Sequence, residues 1–246
     1  MAQNVYDNPE FFEGYSQYRR SQEGLAGAPE WQTLRSMLPP MEGLRVLDLG
    51  CGFGYFARWA CKAGASNVVG IDLSEKMLER ARILTLDPVV TYYRENLENL
   101  SLPNASFDLV YSSLALHYLE DFGAICSEVR KALTMGGYFV FSVEHPIYTA
   151  PSHPEWRVEA DGSRFWILNN YLLEGERVTD WITQGIVKYH RPVSRYMNCL
   201  LEQGFQIARL EEWGPNAVQV AEYPEWEDEL HRPPFLLVAA QVAPTV

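Results

Sequence analysis

Between residues 44 and 143 short apolar runs alternate with longer stretches whose apolar positions recur every three or four residues. The short runs predict buried strands at 44–49, 67–72, 89–94, 107–113 and 137–143, and the intervening periodicity predicts helices at 53–63, 75–85 and 121–134. Phe56, Trp59, Ala60 and Ala63 form the apolar stripe of the first helix, which stops at Gly64. Ser74 and Asp121 stand where helix caps belong. Such alternation predicts an α/β fold with a mostly parallel sheet, helices on both faces and right-handed crossovers.

The flanks read differently. Residues 8–20 predict an aromatic-rich helix capped by Asn8 and opened by Pro9, and Pro29 to Leu38 predict a second, stopped by Pro39-Pro40. These make 1–43 an N-terminal helical cover over a core at 44–143. Residues 144–186, rich in aromatics, proline and glycine, break the alternation, with a hairpin signal around Asp161-Gly162. They read as an inserted lobe over the strand ends. From 187 to 246 the core sheet resumes, with a strand near Gly185–His190, a helix over Ser194–Gln203 closed by Gly204, and strands at Phe205–Trp213 and Phe235–Val242.

Ligands of such sheets sit beyond the carboxyl ends of the strands, near the switch point. The densest signal lies there. Leu44-Arg-Val-Leu-Asp48-Leu-Gly50-Cys-Gly52-Phe-Gly54 runs a strand into a glycine turn that opens a helix, where unpaired N–H groups can face a ligand. Asp72 ends the next strand 22 residues beyond Gly50, and its carboxylate can accept from both hydroxyls of a ribose. A dinucleotide fingerprint would need a third glycine where Tyr55 stands, which argues against a nicotinamide dehydrogenase.

Together Asp-Leu-Gly-Cys-Gly-x-Gly and Ile-Asp-Leu-Ser resemble the class I S-adenosylmethionine-dependent methyltransferases. The resemblance implies a Rossmann-like seven-stranded sheet whose final hairpin sets one antiparallel strand between two parallel ones. It implies S-adenosyl-L-methionine as cofactor, with its methionine end on Gly50, Gly52 and Gly54 and its amino group near Asp48, which also orders the loop. Asp72 takes the ribose and Leu73 packs on the adenine. The adenine site departs from the family's acidic pattern: Asn96 stands at the expected Asp, Leu97 offers its N–H, and Glu95 is an off-by-one alternative. The resemblance also places Ser112 beside the methyl group and makes Tyr15 a lid contact, although Tyr15 reads equally as helix packing.

The acceptor side is expected at Glu144-His145-Pro146 and Tyr189-His190-Arg191. His145 is the general-base candidate, since imidazole takes a proton near neutral pH. His117, Glu144, His190 and Arg191 are substrate candidates; each has an ordinary structural alternative.

Composition narrows the partner. A net charge of −12 argues against a surface that tracks nucleic-acid phosphates. The exit after 107–113 is Ser112-Ser113-Leu114-Ala115, without the Asn/Asp-Pro-Pro-Tyr/Phe of base-methylating enzymes, the Pro-Cys of cytosine-C5 enzymes, or the Asp of aminopropyl transferases. The four cysteines show no metal-binding spacing. With no signal peptide and no membrane-length apolar run, the expectation is a cytoplasmic enzyme acting on a small molecule. A non-catalytic sensor of S-adenosylmethionine or its demethylated product would carry the same cofactor motifs.

Overall fold

The computed structural model describes residues 3–243. The N-terminal cover holds three helices, α1 (Pro9–Ser16), α2 (Arg19–Gln22) and α3 (Trp31–Ser36). Asn8 caps α1 by accepting from the Glu10 and Phe11 N–H groups at 2.9 and 3.4 Å, with Pro9 in the first turn. The helix expected over 8–20 is broken, because Tyr18 is extended and α2 starts afresh behind it.

The core follows as β1 (Arg45–Leu49), α4 (Tyr55–Lys62), β2 (Asn67–Asp72), α5 (Glu75–Leu84), β3 (Val90–Arg94), β4 (Phe107–Ser113), α6 (Phe122–Ala132) and β5 (Leu133–Glu144). Strand β5 begins earlier than its apolar run, since Thr134 to Gly137 extend it past an irregular pairing between Phe107 and Leu109. Helix α7 (Pro146–Thr149) then opens the lobe, which holds two hairpins: β6 (Trp156–Val158) with β7 (Arg164–Trp166), and β8 (Gly175–Trp181) with β9 (Thr183–His190). The chain returns through α8 (Val193–Glu202), β10 (Phe205–Trp213), α9 (Ala217–Glu222) and β11 (Phe235–Val242).

One seven-stranded sheet runs β10-β11-β5-β4-β1-β2-β3. Strand β11 is antiparallel to both neighbours, and the pairings from β5 through β4, β1 and β2 to β3 are parallel. The expected seven-stranded arrangement is therefore present. Central β1 and β4 are buried on both faces, as parallel strands covered by helices require. On one face Phe122, Tyr196 and Leu200 meet Phe139, Phe141 and Phe205. On the other, Phe56 stacks on Tyr111 at 3.6 Å between centroids, while Ala57 and Ala60 let α4 lie close to the sheet.

Two differences from the sequence reading concern the cover. Residues 187–190 do not belong to the core sheet; they finish β9, which pairs with β8 in the lobe. Strand β8 escaped notice because it alternates half-buried and exposed residues instead of carrying an apolar run. The segment between β10 and β11, with α9 and a 3₁₀ turn at Pro224–Leu230, also had no periodic signal.

The cover is braced internally by a buried ion pair between α2 and the start of α3. Arg20 grips both oxygens of Glu30 at 2.8 and 3.0 Å, and Glu30 is fully buried. Removing one member of such a pair strands the other. Glu30→Ala should therefore destabilise the protein by about 3 kcal/mol in urea unfolding; a loss within 0.5 kcal/mol, the ordinary range of about zero for surface changes, would show that Arg20 is not dependent on it.

Candidate active site

The carboxyl ends of β1, β2, β4 and β5 open into a cavity of about 740 Å³, roofed by the N-terminal cover, the lobe and the 224–230 turn. The glycine turn is pinned to the neighbouring strand. The Gly50 and Cys51 N–H groups donate to the Ile71 carbonyl at 2.8 and 3.0 Å. Gly50 has φ 72°, and a Cβ there would lie 2.4 Å from that of Ala115, so glycine is required. Gly52 faces the cavity, and its N–H donates to Asp72 Oδ2 at 2.8 Å. Gly54 does not line the cavity. It caps α4 in the left-handed region, where a Cβ would sit 2.1 Å from the Tyr92 hydroxyl.

Asp72 lies on the cavity wall with Oδ1 accepting from the Ser74 N–H at 2.9 Å. Burial raises its pKa, against the Ser74 and Gly52 N–H groups that favour the charge. One bond per oxygen leaves lone pairs free on both. Asp48 is deeper, beside a side pocket of about 100 Å³ that shares Gly50, Gly52, Tyr15 and Ser113 with the main cavity. It is only 2 % exposed, and its Oδ2 has no hydrogen-bond partner. Burial first, then the Asp72 charge, push its carboxyl up to about 8, with the Ala57 N–H opposing. An orphaned, buried carboxylate oxygen beside the glycine turn suits an incoming ammonium.

Leu73, Asn96 and Leu97 line the same cavity. Asn96 Oδ1 accepts from the Glu98 N–H at 3.0 Å and caps the short turn Leu97–Asn99. Glu95 is exposed and, unlike Asn96, does not line the cavity. Tyr15 also lines it, edge-on to Tyr6 at 5.2 Å and to Trp181 at 6.1 Å.

Besides Gly54, four further expected residues are placed away from the cavity. Ser112 is fully buried and donates to the Leu49 carbonyl at 2.8 Å; strand parity turns Ser113 the other way, and it lines the cavity with Leu114 and Ala115 of the loop beyond the strand. His145 is not on the cavity wall. Its Nδ1 accepts from the Ile147 N–H at 3.0 Å and its Nε2 pairs with Glu212 at 2.9 Å, so both nitrogens are engaged and it caps α7 rather than serving as a base. His190 is buried between Thr149 Oγ1 and the Tyr171 carbonyl, each at 2.9 Å. Arg191 donates to the Leu119, Glu120 and Tyr189 carbonyls and holds the exit after β4 in place.

Two acceptor candidates do line the cavity. His117 accepts from the Glu144 N–H at 3.4 Å through Nδ1, and burial lowers its pKa to about 4, with Glu144 opposing. Glu144 pairs with Lys188 at 2.6 Å. Lys188 was missed, yet a signal existed: Ile186, Lys188 and His190 share the inward parity of β9, so an alternating strand carries a buried lysine. Tyr6, Tyr118 and Trp226, also on the wall, carry no motif at all.

A glycine turn, a strand-end acid and a cavity over the switch point define a nucleotide-binding α/β enzyme. Residues 47–141 match the family model described as a methyltransferase domain. An S-adenosylmethionine-dependent methyltransferase from Mesorhizobium loti superposes with a TM-score of 0.86 at 54 % identity, over 89 % of this chain and 100 % of that one. A putative one from Listeria monocytogenes gives 0.80 at 40 % identity, over 87 % and 98 %. An uncharacterised Haemophilus influenzae protein is 36 % identical across 97 % of this chain and 96 % of its own length. The chain belongs to the S-adenosylmethionine-dependent methyltransferases, and its cofactor is S-adenosyl-L-methionine.

The raised carboxyl of Asp48 has a measurable consequence. An acid whose folded pKa lies above its unfolded value binds the extra proton in the folded state, so stability falls as pH rises between the two values. From the ordinary range near 4 up to about 8, the cofactor-free protein should lose stability through this group. Asp48→Asn should flatten that slope in urea unfolding followed from pH 5 to 8, a window of about three pH units. An unchanged slope would place the titration elsewhere.

Proposed function

We propose that this chain transfers the methyl group of S-adenosyl-L-methionine to a small molecule bound in the same 740 Å³ cavity. The observation that carries this is the reach of that one cavity, from Gly50, Gly52 and Asp72 to Glu144 and the aromatic roof. A site of this size suits a cofactor with one modest acceptor. Asp48 receives the cofactor's ammonium, Asp72 its ribose, and Leu73, Asn96 and Leu97 flank its adenine. Tyr15 closes over them.

The sulfonium supplies an electrophilic methyl group on a good leaving group. The protein's share is to hold the acceptor in line and keep water out. Tyr6, Tyr15 and Tyr118 serve the second task, since Tyr6 lies edge-on to Tyr15 at 5.2 Å and to Tyr118 at 6.5 Å on the cavity wall. The net charge of −12 supports an acceptor other than a polyphosphate chain.

Calorimetry tests the cofactor assignment. S-adenosylmethionine and S-adenosylhomocysteine should both bind, and Asp72→Ala should weaken each at least about tenfold, or 1.4 kcal/mol. Undiminished binding to Asp72→Ala would remove the ribose role.

A further inference from the structure

Two carboxylate oxygens of acidic residues are buried without a hydrogen-bond partner among the described residues, Asp48 Oδ2 and Glu144 Oε2. The first belongs to the cofactor end. The second lies at the carboxyl end of β5. Leu49 pairs with Ser112 on β4, and Ser113 with Ser142 on β5, so Glu144 stands two strands across from the glycine turn. Two strand spacings are about 10 Å, which sets Glu144 beyond the cofactor end, where the acceptor belongs.

We infer that the acceptor is a small amine, and that Glu144, held by Lys188, is the residue that binds its nitrogen. This rests on the methyltransferase reading above. Glu144 Oε1 is taken by Lys188 Nζ at 2.6 Å, whose side chain is 6 % exposed. Lys188 Nζ in turn lies 5.4 Å from the Trp181 ring centre. The carboxylate is thereby fixed in orientation, and Oε2 is left to accept from a ligand N–H. Leaving a buried acceptor unpaired costs free energy that a donor on the substrate would recover.

The surrounding walls agree. Tyr6, Tyr18, Tyr118, Tyr148 and Trp181 line the cavity, and such faces favour a cationic or amine group. The acids Glu98, Glu120 and Glu176 stand exposed at its edge and draw cations inward. The cations on the wall are committed: Arg20 to Glu30, and Arg19 to Glu23 at 2.9 Å. No wall arginine is therefore free among the described residues to hold an acidic acceptor. His117 Nδ1 already accepts from the Glu144 N–H and does not compete for the amine.

The amine reacts as the free base, donating one N–H to Glu144 Oε2. Its lone pair forms the new N–C bond as the C–S bond breaks, the bonding pair remaining on sulfur. The alkylammonium product gives a proton to Glu144 Oε2 and from there to water.

The test uses three molecules of similar shape, phenethylamine, phenethyl alcohol and 3-phenylpropionate. Their binding to the full-length protein saturated with S-adenosylhomocysteine is measured by calorimetry, and transfer of labelled methyl is measured in parallel with S-adenosylmethionine. The amine should bind at least about tenfold more tightly than the acid, 1.4 kcal/mol, and it alone should gain label. Glu144→Gln, nearly isosteric, should abolish that preference while S-adenosylhomocysteine affinity stays within about twofold, some 0.4 kcal/mol, which also reports that the variant is folded. Glu144→Asp should restore part of the preference. Equal binding of the three, preference for the acid, no amine binding up to millimolar concentration, or an undiminished preference in Glu144→Gln each overturns the inference. Failure of the wild-type protein to bind S-adenosylhomocysteine would instead strike the reading on which it rests.

Discussion

The hydrogen bond from the Gly52 N–H to Asp72 is the contact on which the site depends. It joins the turn after β1 to the end of β2, so two elements from separate crossovers share one geometry. The Ile71 carbonyl reinforces it by accepting from the two preceding N–H groups of the turn, those of Gly50 and Cys51. The same carboxylate receives the Ser74 N–H and so positions the start of α5. One carboxyl group thus sets the turn, a helix start and a wall of the cavity. After burial, which is the larger cause, its charge also raises the cost of ionising a second acid, Asp48. A positive charge placed beside Asp48 would relieve that cost.

The core was legible because its signals are local. Apolar runs bounded by Gly64, Ser74 and Asp121 mark strands and helices within about two residues, apart from the early start of β5, and Gly50, Gly52 and Asp72 are type-specific for steric and charge reasons. Ser112 failed for a smaller reason. Adjacent serines occupy opposite faces of a strand, and the sequence alone does not say which faces the cavity. His145, His190 and Arg191 failed for a general one. Polar side chains near strand ends are as useful to the backbone as to a ligand, and here each is consumed by carbonyl, N–H or side-chain partners. The choice between those uses is made by tertiary contacts such as Glu212 with His145, 67 positions apart.

The cover shows the opposite character. Its pieces come from residues 3–31, 146–190 and 214–235, and they meet only over the finished sheet. Aromatic rings supply most of the contact: Trp181 touches Phe11, Tyr15 and Tyr18, while Arg232 lies over Tyr148 and Trp166 at 4.3 and 4.0 Å. Such packing has no period to read. It also stands apart from the core layers beneath, Phe56 on Tyr111 and Phe139 beside Phe141.

The segment leading into α1 shows how such a roof is tied together. Gln3 bonds the Gly185 carbonyl at 2.9 Å and the Val187 N–H at 2.8 Å, and Asp7 bonds the Ser74 hydroxyl at 2.6 Å. This short strap therefore ties the lobe hairpin to α5 across the cavity mouth by polar contacts, while Tyr6 within it packs edge-on against Phe11, Tyr15 and Tyr118. The strap thus joins the lobe to the start of α5 without adding a strand to the seven-stranded sheet, so lobe and core are coupled here by side chains and not by backbone pairing.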